Sequence, residues 1–62
     1  MKLWVTRDKN KELVLHNIKP TLSKDGEHWV NKNGVYENLY YNWFSEVTFE
    51  NSPQEVEINV LK

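Results

Sequence analysis

The chain has 62 residues, no cysteine, two glycines, two prolines and a formal charge of −1. That length allows one small domain over residues 1–62, burying only about 60% of the surface its unfolded chain exposes. The lack of thiols excludes disulfides and thiolate metal sites. The longest apolar run is three residues, such as Leu13-Val14-Leu15, far too short for a helical membrane span.

Leu3-Trp4-Val5-Thr6 reads as a strand, Asp8-Lys9-Asn10-Lys11 as a polar turn, and Leu13-Val14-Leu15-His16 as a second strand. Asp and Asn side chains bond nearby backbone and tolerate left-handed geometry, so the pattern predicts a hairpin. Leu3 and Val5 share one face, as do Leu13 and Leu15, and the two pairs are expected to meet. Pro20, which has no N–H to give, ends that pairing. Residues 19–27 form a loop with Asp25-Gly26 as its turn signal.

His28-Trp29-Val30-Asn31-Lys32 is followed by Asn33-Gly34 and then Val35-Tyr36. Asn-Gly between strand-like residues predicts a second tight hairpin, because a type I′ turn needs positive φ at both central positions. Residues 35–40 are expected as a strand, with a helical turn near 41–45. A competing pattern places Tyr36, Leu39, Tyr40, Trp43, Phe44 and Val47 at helical spacing. The stretch lacks the alanine, glutamine and lysine that favour helices. Val47-Thr48-Phe49 reads as a short strand and Glu50-Asn51-Ser52-Pro53 as a turn. Glu55-Val56-Glu57-Ile58-Asn59-Val60-Leu61 alternates polar with apolar, predicting a half-buried terminal strand at a sheet edge, with Val56, Ile58 and Val60 toward the core. The fold expected is mainly β: a single small antiparallel sheet of four or five short strands with at most one short helical turn. Trp29, Phe44 and Val47 are expected in its core.

No motif of catalysis is present. The two glycines stand apart and make no phosphate-cradling loop. His16 and His28 lack metal-ligand spacing and read as polar strand residues. Ser23, Ser45 and Ser52 have no histidine beside them in sequence, and Glu55 with Glu57 reads as a solvated strand face. The reading is therefore non-enzymatic, with no cofactor and no metal. Charge is unevenly spread: residues 1–32 carry +3 and residues 33–62 carry −4. Cations flank Trp4 and Trp29, as in single-strand binders, yet the acidic half would repel phosphate, so nucleic acid is not the expected partner.

Two stretches carry a resemblance. Leu3-Trp4-Val5-Thr6-Arg7-Asp8-Lys9 runs from a strand into an Arg-Asp-Lys turn. Trp43-Phe44-Ser45-Glu46-Val47-Thr48-Phe49-Glu50 leads on to Glu55-Val56-Glu57. Together they resemble very short proteins of phage, prophage and related mobile regions of bacteria, in which a Phe-Pro-Glu-Val-Thr-Phe/Trp-Glu stretch stands near the C-terminus. Ser45 stands in place of the proline, and Phe49 is one of the accepted aromatics. The chain also continues through Asn59-Val60-Leu61-Lys62 where that class stops, and its middle matches poorly.

The resemblance implies a host-directed protein that binds and inhibits a bacterial protein, with components of anti-phage defence as the expected targets. The anti-Hachiman proteins are one such group of similar size. The alternatives are a structural or accessory domain of a mobile element, or a weak nucleic-acid-binding module. Met1–Arg7 lacks the apolar core of a signal peptide, so the chain is expected in the cytoplasm of the bacterial host and off the membrane. A chain of this size without staples gains by assembly, so a homodimer is expected. Its interface would comprise Glu55, Val56, Glu57, Ile58 and Val60 of the terminal strand, with Tyr40 and Trp43 beside them.

Overall fold

A computed structural model describes residues 2–57. Among the described residues there are six strands: β1 (Lys2–Arg7), β2 (Leu13–His16), β3 (Thr21–Leu22), β4 (Trp29–Val30), β5 (Tyr36–Leu39) and β6 (Gln54–Glu57). Four make an antiparallel sheet in the order β5-β2-β1-β6, and β3 pairs with β4 in a separate two-stranded ribbon. The domain is thus mainly β, as the alternating sequence pattern predicts, and no helix occurs among the described residues.

The first hairpin forms as expected, with Val5 opposite Leu15 and Arg7 opposite Leu13. Its loop turns through Asp8–Lys11, where the Lys11 N–H donates to the Asp8 carbonyl at 2.8 Å and the Asp8 N–H to the Glu12 carbonyl at 2.9 Å. Lys11 sits in the left-handed region at φ 76°. This is the three-residue hairpin loop in which a turn is completed by one left-handed residue, a place usually given to glycine.

Strand alternation gives the sheet two faces. Leu3, Val5, Leu13, Leu15, Leu39 and Val56 lie on one, and their register partners match apolar with apolar at Leu3–Val56 and Leu13–Leu39. Val5, Leu13 and Val47 form the fully buried centre, with Leu15, Leu39 and Val56 packed around them. Val47 comes from the segment 40–53, which therefore covers this face. Thr6, Val14 and His16 occupy the other face and are also buried. There the segment carrying β4 approaches, with Asn31 Nδ2 3.4 Å from His16 Nδ1. Three thin layers result.

Several expectations fail for identifiable reasons. Asn33-Gly34 makes no hairpin: β4 pairs back onto β3, and β5 pairs with β2. Neither residue has positive φ, so the type I′ geometry is absent. Gly34 serves another need, since a Cβ there would run into Asn31 Oδ1, Asn17 Oδ1 and Ile18 Cγ1. The competing helical spacing over 36–47 is not realised: residues 41–46 form turns, with the Trp43 N–H bonded to the Tyr40 carbonyl at 3.0 Å and the Val47 N–H to the Phe44 carbonyl at 2.9 Å.

Val47-Thr48-Phe49 is not a strand. Thr48 and Asn51 bond one another, the Thr48 N–H donating to Asn51 Oδ1 and the Asn51 N–H to Thr48 Oγ1, so local side-chain bonds win over ladder pairing. Of the expected core residues, Val47 is buried, Trp29 is only half-buried and Phe44 is 37% exposed. Phe44 also lies at φ 49°, where a bulky residue is strained. The turn that places Val47 inside turns Phe44 outward.

Candidate functional site

Eight large hydrophobic residues are exposed among those described, and six fall between positions 35 and 44: Val35, Tyr36, Tyr40, Tyr41, Trp43 and Phe44. They follow one another in a strip of sequence along β5 and the turns after it, with Val35 on one face of the strand and Tyr36 on the other. Tyr41 is 76% exposed, Tyr40 71% and Trp43 50%, so these rings are displayed rather than packed away. Tyr40 and Trp43 meet edge to face with centroids 5.3 Å apart, an arrangement that fixes both rings. β5 is an outer strand of the sheet, and among the described residues no strand pairs with its outer edge.

Arg7 holds the turns in place. Its Nε donates to the Val47 carbonyl at 3.0 Å, Nη1 to the carbonyls of Lys11 at 3.1 Å and Tyr41 at 2.6 Å, and Nη2 to those of Trp43 and Phe44, each at 3.1 Å. A guanidinium has five N–H donors, and here all five are accounted for by main-chain oxygens. The Arg7 N–H is taken up as well, by Ser52 Oγ at 2.9 Å. One side chain on β1 thus clamps the segment that displays Tyr41, Trp43 and Phe44.

Beside the strip lies an open cleft of about 610 Å³, lined in part by Lys9, Lys11, Tyr41, Phe49 and Glu50. Lys9 is occupied there: its Nζ sits 5.3 Å from the Phe49 ring centroid and 3.3 Å from Glu27 Oε2. A second cleft of about 440 Å³ separates the sheet from the segment bearing β4, with His16, Trp29, Asn31 and Lys32 among its walls. His16 is fixed in it by Thr6 Oγ1, 2.9 Å from Nε2. Burial lowers the His16 pKa below its ordinary value, and Asp8 opposes that shift. Neither histidine ring bonds a serine hydroxyl: Ser23 Oγ donates to Asp25 and accepts from the His28 backbone N–H, and Ser52 Oγ donates to the Thr48 carbonyl. Among the described residues, no group of three His, Cys, Asp or Glu is placed to hold a metal ion, and no helix is long and apolar enough to cross a membrane.

The residues expected at an interface divide into two places. Tyr40 and Trp43 lie in the strip. Glu55, Val56 and Glu57 belong to β6, the opposite outer strand, with β2 and β1 in between. Val56 is half-buried against the core, and Glu55 lies 3.9 Å from Lys2. Ile58 and Val60 lie outside the described residues. One continuous surface through all seven is therefore not formed by the five that are described. Sequence reading missed Val35, Tyr36, Tyr41 and Phe44 as surface residues, and it missed the role of Arg7. The signal available was the density of aromatics over 36–44, more than so small a core can enclose.

Compared with protein-family models, curated proteins and solved structures, the chain matches none.

Proposed function

We propose that this chain is a non-enzymatic binding protein that engages a host protein through the aromatic strip on β5 and the turns after it. The observation that supports this reading is the crowding of six of the eight large hydrophobics exposed among the described residues into ten consecutive positions. Tyr and Trp are enriched at the centres of protein interfaces, where they bring large contact area at low entropic cost. Exposed apolar and aromatic surface gathered in one region of a small domain marks an interaction site. The Arg7 clamp adds preorganisation, which lowers the ordering cost of binding. The resemblance to short phage proteins supplies the setting: a bacterial partner, with an anti-phage defence component as the expected class and inhibition as the expected consequence. Assembly as a homodimer through the edge of β6 is compatible with this use of β5.

The test is capture from bacterial lysate by the immobilised chain, run beside a Tyr41→Ser/Trp43→Ser variant. Both positions are largely exposed, so the variant should fold. Stoichiometric recovery of one host protein by the parent and not by the variant supports the reading. Equal recovery by both, or by neither, overturns it.

A further inference from the structure

We infer that the occupant of the strip is an extended segment of the partner that adds to the outer edge of β5 as an antiparallel strand, with an Arg or Lys side chain set against Glu37. This rests on the proposed use of the strip and goes further by naming the geometry and chemistry of what binds there.

The edge itself comes first. β5 pairs with β2 on one side only among the described residues, with Leu15 opposite Glu37 and His16 opposite Tyr36. Alternate N–H and C=O groups along its other side therefore point away from the sheet, a template for one more strand. Tyr36-Glu37-Asn38-Leu39 has no proline and no lysine to block the edge, Glu37 is its one charge, and the segment on either side is apolar and exposed. Strand addition draws affinity from main-chain bonds and specificity from the side chains alongside.

Charge then selects the occupant. Glu37 is exposed and joins no ion pair among the described residues. Its neighbour on β2 is the apolar Leu15, so the vacant cross-strand position on the outer side is where an opposite charge would gain most. From residue 33 to 57 there are five glutamates and no lysine or arginine, and Glu46 and Glu50 lie on the segment that covers the same face as Glu37. On the opposite face Lys32 lines a cleft with Tyr36 and Asn38, which disfavours a second cation there. The incoming strand thus carries its cation on the Glu37 face and apolar or aromatic residues along Tyr36 and Tyr40. Phosphate-bearing single strands are disfavoured by the same glutamates.

The experiment uses the full chain and a peptide of roughly ten residues, the length of a long strand, with alternating Thr and Val and one central Arg. A Glu-for-Arg peptide, a copy N-methylated at alternate residues and an oligothymidylate serve as comparisons. Expected is binding of the Arg peptide with amide shifts centred on 36–39, loss of at least tenfold in affinity with Glu37→Lys, and recovery when that variant meets the Glu peptide. N-methylation should abolish binding. Equal affinity for both peptides, indifference to Glu37→Lys, shifts centred on β6, a dimer joined through β5, or oligothymidylate bound at the strip would each overturn the inference. So would failure of every peptide. If strip-dependent capture from lysate then persists, the strip is a binding surface for another kind of partner and only the inference falls.

Discussion

Arg7 Nη1 lies 2.6 Å from the carbonyl oxygen of Tyr41, thirty-four residues away in the chain. That bond and its four companions tie the end of β1 to the turns that carry the exposed rings. Lysine keeps the charge but offers three donors from a single point and cannot reproduce the fork. Arg7→Lys should therefore cost about 2 kcal/mol of stability, given that bonds to charged groups contribute roughly 1.5–3 kcal/mol each and lysine retains some of them. Amide exchange should quicken over 41–47 more than in β1 or β2. Uniform exchange across the chain would mean that the clamp is not local.

Lys11 completes the hairpin loop at φ 76°. An L-residue in that region costs roughly 1–2 kcal/mol, and glycine avoids this at some expense in unfolded-chain entropy. Lys11→Gly should stabilise the protein by about 1 kcal/mol, raising Tm by roughly 4–8 °C for a domain this small. The loop's bond to Arg7 runs through the Lys11 carbonyl, which glycine keeps. A lower Tm would show that the lysine side chain contributes more than its backbone strain costs.

The reading of Asn33-Gly34 shows where local signals stop being informative. The dipeptide favours a tight hairpin in isolation, yet β5 had a longer partner available in β2, with Asn17 extending the match. The Asn17 N–H donates to the Val35 carbonyl at 3.1 Å, and the Val35 N–H to Asn17 Oδ1 at 2.7 Å. Gly34 is needed for close approach there rather than for a turn. Gly34→Ala should thus destabilise by about 1–3 kcal/mol through overpacking, and Gly26→Ala, at φ 71° with open space around it, by roughly 1–2 kcal/mol through backbone strain alone. Denaturant midpoints distinguish the two from neutral changes.

The β1–β2 hairpin and the inward face of Val56 were legible because alternation and turn chemistry agree with the sheet they form. The fate of the aromatics was not, because position in a turn decided it rather than hydrophobicity. Phe44 and Val47 are three residues apart and similar in apolar character, yet one is displayed and the other sits against Val5 and Leu13. A cost of about 3–5 kcal/mol for a phenylalanine-to-alanine change belongs to a fully buried ring. For the ring as it stands, about 1–2 kcal/mol is expected, against about 2–5 kcal/mol for Leu13→Ala. A Phe44→Ala protein less stable than Leu13→Ala would return Phe44 to the core.

His16 gives the fold a dependence on pH with a definite sign. Asn31 Nδ2 is a donor, so His16 Nδ1 accepts from it, and the ring proton therefore rests on Nε2 and is given to Thr6 Oγ1. This arrangement needs the neutral ring. A second proton would place an N–H on Nδ1 facing the amide N–H of Asn31, in a site already short of water. Desolvation lowers the folded-state pKa, and the Asp8 carboxylate raises it by less. The other charged or titratable groups around this cleft are Glu12, His28, Lys32 and Tyr36. A depressed folded pKa means that the unfolded chain binds the proton more readily, so stability rises with pH across this range. The contribution is complete above the unfolded value of about 6.5 and is lost as pH falls through the lower folded value. Unfolding free energy should therefore drop between pH 7.5 and pH 5. His16→Gln, which cannot titrate, should flatten that slope even if it starts from a lower stability. An NMR titration placing the His16 ring above the ordinary histidine pKa would reverse the sign and rule out the neutral link between the sheet and Asn31.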